Sequence, residues 1–182
     1  VKIKAATIGR GLTNAEFRMR NAERRLRVPF FLSEAAMLDA FPFSELAWAR
    51  VNEAAAAVTN ATLQDDEVLA ASKVVELQMV LASLREAYGD HPVLLETEAD
   101  FLDDPMERRD LYLRAIRGAV RGEIPTYTIR ISLAALLLES FADRASARAH
   151  LADCATEVTE FGDAGERAQW NELMTKCSGF LQ

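Results

Sequence analysis

Thr126-Tyr127-Thr128-Ile129-Arg130-Ile131-Ser132-Leu133-Ala134-Ala135-Leu136-Leu137-Leu138-Glu139-Ser140-Phe141 can be read two ways, and the choice decides the fold. Its first half sets Tyr127, Ile129, Ile131 and Leu133 in alternation with Thr128, Arg130 and Ser132, the period of a half-buried strand. Its second half runs on through Leu133 to Glu139, too long for that strand and rich in alanine and leucine, which favour helix. We read the whole stretch as one helix. It is apolar almost all round, so it is expected to be the most buried helix.

The flanking text is helical punctuation. Downstream, Ala145 to Phe161 reads as one amphipathic helix stopped by Gly162, and Asp163 to Glu166 opens a last helix reaching about Cys177. Upstream, Asp104-Pro105-Met106-Glu107 is a start signal: a capping aspartate, proline where its missing N–H costs nothing, and glutamate in the first turn. That helix carries Tyr112, Leu113, Ala115, Ile116, Ala119 and Val120 on one face, with Arg114, Arg117 and Arg121 opposite, and ends at Gly122 and Pro125. His91 to Leu102 makes a shorter helix. Val68 to Tyr88 makes a long one, closed by Gly89, with Leu69, Val75, Met79, Ala82 and Leu84 as its apolar stripe. Ser44 caps a helix to about Asn60. Further upstream, residues 33–40 suit a short helix, Thr13 to Arg27 a basic one, and Val1 to Ala5 a short strand. The expected fold is all-α: seven or eight helices in antiparallel pairs, as a short right-handed solenoid or a bundle.

Composition agrees with that class. The chain has 182 residues, 50% hydrophobic and 27% charged, enough for a core without disulfide or metal staples. Cys154 and Cys177 read as free thiols in a reducing, cytoplasmic setting. No apolar run is long enough to span a membrane, and the N-terminal Val1-Lys2-Ile3-Lys4 is not followed by the apolar stretch of a secretory signal. The formal charge of -7 divides unevenly: residues 1–30 hold eight basic and two acidic side chains, +6, and residues 31–182 carry -13. This suggests a basic N-terminal arm and helix, 1–30, ahead of an acidic helical domain, 31–182. An acidic body disfavours nucleic-acid binding there; contact through the basic arm stays open as an alternative.

A recurring spacing links the pairs. Trp48-x-x-Val51, Pro92-x-x-Leu95-x-x-x-Ala99, Arg130-x-x-Leu133-Ala134-x-x-Leu137 and Trp170-x-x-Leu173 occupy first helices, at steps of 44, 38 and 40 residues. Val75-x-x-x-Met79-x-x-Ala82, Arg108-x-x-x-Tyr112-x-x-Ala115 and Ala147-x-x-x-Leu151-x-x-Cys154 occupy second helices. Over residues 44–181 this resembles a degenerate tetratricopeptide-type helical repeat. The steps are longer than the family's ~34 residues, most of its glycines and prolines are missing, and Arg108 stands where a small residue belongs. The resemblance implies a protein- or peptide-binding module, an adaptor, scaffold, chaperone or antidote-type partner binder. Its groove would be lined by Val93, Thr97, Asp100, Thr128, Ile131 and Ala135. The alternative to a repeat is a plain bundle, in which packed helices share such spacings anyway.

Candidate chemistry is sparse. The Arg114, Arg117 and Arg121 stripe could meet an acidic partner, and Asp110 stands four residues before Arg114 as a surface ion pair. Glu96, Glu98, Asp100, Asp103, Asp104 and Glu107 form the densest carboxylate cluster, which would suit a small magnesium-dependent all-α hydrolase. Asp104 already has a capping task, however, and no second acidic motif completes the set. Glu157 and Glu160 are read as a solvated pair, and His150 as a core or edge residue. No nucleophile motif or metal-ligand spacing is legible, so no catalytic residue, cofactor or metal is expected. An apolar Cys177 to Leu181 end makes a homodimer plausible.

Overall fold

The structure, a computed structural model, describes residues 41–179. The expected strand at 1–5, the helices at 13–27 and 33–40, and the Phe180–Leu181 end lie outside the described residues.

Eight helices and no strand are found among the described residues: α1 Glu45–Leu63, α2 Glu67–Tyr88, α3 Pro92–Phe101, α4 Pro105–Arg121, α5 Tyr127–Ser140, α6 Arg144–Asp153, α7 Ala155–Phe161 and α8 Ala164–Ser178. Thr126–Phe141 is therefore helical. Nine of the 14 residues of α5 are buried, yet α3 is buried in larger share, eight of ten, because it lies between two cores. The expected single helix over 145–161 is broken at Cys154 into α6 and α7.

Capping fixes most of the starts. Ser44, Asp66, Asp104 and Asp143 each accept from a backbone N–H in the first turn of their helix. Asp163 and Glu166 form a reciprocal capping box at α8. Thr126 makes no such local bond at α5. Its N–H donates instead to Glu157 Oε2 at 2.6 Å, from a helix 31 residues downstream. Glu157 is therefore half-buried and spent on capping α5, not half of a solvated pair. The turns after α1, α4 and α5 are closed by Asp65, Glu123 and Ala142 in the left-handed region, with φ of 54°, 54° and 51°.

The helices pack in consecutive pairs, α1 with α2, α3 with α4 and α5 with α6, and α8 closes the far end on α5, α6 and α7. One core joins Phe43, Trp48, Val51, Ala55 and Val58 to Leu77, Leu81, Leu84, Leu94 and Phe101. The other runs from Leu95 and Ala99 through Tyr112, Ala115, Leu133, Leu136 and Leu151 to Leu173. Helix α3 supplies both. Gly118 sets the α3–α4 spacing, since a Cβ there would stand 3.1 Å from Pro92 Cγ.

The repeat positions can now be placed. Leu95, Ala99, Leu133, Ala134 and Leu137 in first helices are buried, as are Tyr112, Ala115, Leu151 and Cys154 in second ones. Buried Arg108 fills its small-residue position by donating Nε–H to the Ala99 carbonyl at 3.2 Å. The second helix of the first pair is the exception. Val75 and Met79 are 55% and 69% exposed and Ala82 is also exposed, while Leu77, Leu81 and Leu84 are buried. The stripe expected to form the core of this helix is thus its outer face. Moving the register by two residues gives Leu77-x-x-x-Leu81-x-x-Leu84, the same spacing as in the later pairs. The described chain is all-helical and paired, compatible with a helical repeat.

Candidate partner-binding surface

A 22-residue helix with one face in the core and apolar residues on the other is unusual in a closed bundle. Outward on α2 lie Val68, Ser72, Val75, Met79 and Ala82, all exposed, at steps of four, three, four and three. That is the 3.5-residue period of a helix–helix seam, and its small residues Ser72 and Ala82 permit close approach. Val68 is 83% exposed. Among the described residues α2 packs on α1 and, more lightly, on α3, both on its inner side. Exposed apolar area gathered on one helix face marks an interaction surface more than scattered exposure does.

The ends of this face are charged. Arg85, in the last turn of α2, donates from Nε and Nη2 to Asp90 Oδ1 at 2.9 and 2.6 Å and from Nη1 to Glu98 Oε2 at 2.9 Å. Arg114 of α4 also bonds Asp90. Arg114 therefore pairs with Asp90 of the turn between α2 and α3, and Asp110 with its neighbour Arg109 at 3.4 Å, not with Arg114 as the spacing suggested. The Arg85 hydrogen bond, followed by that from Arg114, holds the Asp90 carboxyl below its ordinary range. A shallow depression lined by Ala82, Arg85, Glu86 and Asp90 continues the outer face of α2 to this cluster. Arg117 and Arg121 are exposed on α4. Val120, expected on the buried face of α4, is 58% exposed.

Comparison with protein-family models, with curated proteins and with solved structures finds no match to this chain. Function must therefore be argued from the geometry.

The groove positions implied by the repeat resemblance are mostly occupied in packing. Thr97, Asp100, Ile131 and Ala135 are buried, while Val93 and Thr128 are half-buried. Thr97 Oγ1 donates to the Val93 carbonyl at 2.7 Å. Asp100 Oδ1 accepts from the Tyr112 hydroxyl at 2.5 Å. Complete burial, then the nearby Asp100 charge, pushes the Tyr112 hydroxyl well above its ordinary range, and Arg108 acts against both. Burial, then the Glu166 and Glu96 charges, likewise raises Tyr127. Glu96, Asp100, Arg108 and Glu166 are thus a buried polar layer that sequence reasoning left scattered over three helices.

The carboxylates of 96–107 divide by task. Glu96 and Asp100 are buried, Glu98 pairs with Arg85, Asp104 caps α4, and Asp103 and Glu107 are exposed. Among the described residues no three His, Cys, Asp or Glu side chains are grouped to hold a metal ion. No helix among them is long and apolar enough to cross a membrane. Cys154 is a buried free thiol raised by that burial to about 11, and Cys177 is free and half-buried.

His150 joins a second polar set. Arg130 donates from Nη1 to Asp153 Oδ2 at 2.7 Å and from Nε to Thr126 Oγ1 at 3.0 Å, and its Nη1 lies 3.2 Å from His150 Nδ1. Burial, then the Arg130 charge, depresses the His150 imidazolium. The unfolded chain therefore takes up this proton first as pH falls below about 6.5. Stability carried by neutral His150 is complete above that pH and is lost on acidification towards the depressed folded value. Melting temperature should fall as pH drops below about 6.5 more steeply in the native chain than in His150→Gln; parallel curves would remove His150 from this account.

Proposed function

We propose that this chain is a non-catalytic, tetratricopeptide-like helical module that binds a protein partner by docking a helix along the outer face of α2. The observation that carries the reading is the exposed seam Val68, Ser72, Val75, Met79 and Ala82, which the repeat's own core does not use. The paired helices supply a rigid support, and helix-in-groove recognition needs an apolar stripe of this period on a stable frame. The groove of the repeat resemblance stays secondary, because four of its six residues are buried in the chain's own packing. The Arg114, Arg117 and Arg121 stripe would serve as a polar flank for acidic side chains of a partner.

The test is affinity capture with the native chain and with Val75→Glu/Met79→Glu. Both positions are exposed, so the unfolding free energy should change by no more than ordinary surface substitutions cause, about 0.5 kcal/mol each. A partner held by the native chain should be lost from the variant. A partner retained at equal yield by an intact variant would refute the docking face.

A further inference from the structure

We propose that the junction of α5, α6 and α7 is an acid-operated latch: a proton on His150 draws the Asp153 carboxylate away from Arg130, and the α6–α7 joint at Cys154 opens while the rest of the fold stays closed.

The latch is built around one nitrogen. Arg130 Nη1, from the first turn of α5, lies 2.7 Å from Asp153 Oδ2 and 3.2 Å from His150 Nδ1, both on the last turn of α6. A guanidinium only donates, so Nδ1 must accept, and the ring is neutral with its proton on Nε2. A second proton sets N–H against N–H and cation against cation. The charged groups acting on the ring are Arg130 from α5 and, on α6 itself, Asp153 and the capping Asp143. Among the described residues no charged group of α7 or α8 acts on it directly. Helix α8 meets this part of α6 through Trp170, whose Nε1–H donates to the Leu151 carbonyl at 2.9 Å. Asp153 stands three residues after His150, one turn along the same face, so it is the acceptor an imidazolium reaches without leaving its own helix.

Arg130 carries the change onward. Its Nε–H donates to Thr126 Oγ1 at 3.0 Å, and the Thr126 N–H donates to Glu157 Oε2 at 2.6 Å. This relay ties α7 to the start of α5, which has no local cap. Helix α7 has seven residues, with Val158 as its buried one, and is set off from α6 by the break at Cys154. Arg167 of α8 holds the Val158 and Thr159 carbonyls at 3.4 and 3.2 Å, so the end that can swing is the one beside Cys154. Local opening belongs where few buried contacts hold an element. Cys154 is 0% exposed and its thiol donates to the Leu151 carbonyl at 3.5 Å, so it is covered while the latch is closed.

The sign follows from the two forms. Burial, then the Arg130 charge, keeps the ring neutral in the closed form. In the opened form it titrates near its ordinary value of about 6.5. Opening therefore takes up one proton below that pH, and the open share grows by up to about tenfold per pH unit.

The test reads Cys154 in the full chain carrying Cys177→Ser. The probe is a dipyridyl disulfide, whose good leaving group lets it label thiols in acid. From neutral pH downwards, the labelling rate is divided at each pH by that of a short cysteine peptide. The ratio should climb below about pH 6.5 by up to about tenfold per unit. His150→Gln, whose amide oxygen still accepts from Arg130 and does not titrate, should stay flat. Arg130→Gln should raise the ratio at neutral pH and weaken its response to acid. The control places Ala55→Cys, buried in the other core, in a chain with Cys154→Ala and Cys177→Ser, and should stay flat. An unchanged native ratio, an equal climb in His150→Gln or an undiminished acid response in Arg130→Gln would overturn the proposal. A climb at position 55 in step with Cys154 would overturn it in favour of global unfolding. Circular-dichroism melts show which variants are folded; if His150→Gln is not, Arg130→Gln and the position-55 control decide.

Discussion

Leu81→Ala should destabilise the chain by about 2–5 kcal/mol, whereas Met79→Ala, two residues earlier on the same helix, should cost no more than about 0.5 kcal/mol in the isolated protein. Leu81 is 2% exposed and lies in the core shared by α1, α2 and α3, so truncation removes buried contacts and leaves a cavity between helices that cannot close fully. Met79 is 69% exposed. Denaturant melts of the two variants decide which stripe of α2 faces the core. Equal losses would mean that the outer face is already covered as tightly as the inner one. A larger loss at Met79 would reverse the assignment.

Arg108→Met is expected to cost about 1.5–3 kcal/mol, the range for losing a hydrogen bond made by a charged group. Arg108 is 6% exposed, and its guanidinium donates to the Ala99 carbonyl and bears with Asp100 on the Tyr112 hydroxyl. Methionine can fill much of the volume, so the loss reports the missing charge and hydrogen bond more than a cavity. The companion Tyr112→Phe keeps the ring and removes one buried donor to Asp100, for about 1–3 kcal/mol. In a double variant the two losses should fall short of their sum, because both act on one network. Full additivity in chemical denaturation would show that Arg108 and Tyr112 are not coupled through Asp100.

Much of the architecture was legible because it is written locally. Capping residues Ser44, Asp66, Asp104, Asp143 and Asp163, prolines at the first turns of α3 and α4, and Gly89 after α2 mark helix ends within a few residues of sequence. The 126–141 conflict resolved towards helix because the alanine- and leucine-rich half sets the length of the element, and a strand cannot use it. What failed was non-local. Helix α2 carries two apolar stripes with the same spacing, 75/79/82 and 77/81/84, and periodicity measures spacing without saying which stripe meets a neighbour. Glu157 caps α5 from 31 residues away, and Arg114 pairs with Asp90 of the α2–α3 turn, not with Asp110 on its own helix. The buried layer of Glu96, Asp100, Arg108 and Glu166 was also hidden, since charged residues read as surface until tertiary packing supplies their partners.

The most direct measurement places a photo-crosslinking amino acid at position 79 of the full chain. Irradiating the purified protein with a captured binding partner present should link position 79 to a helix of that partner. If light yields only solvent-quenched product while the partner is bound, no polypeptide lies on the outer face of α2 and its role as a docking surface is contradicted.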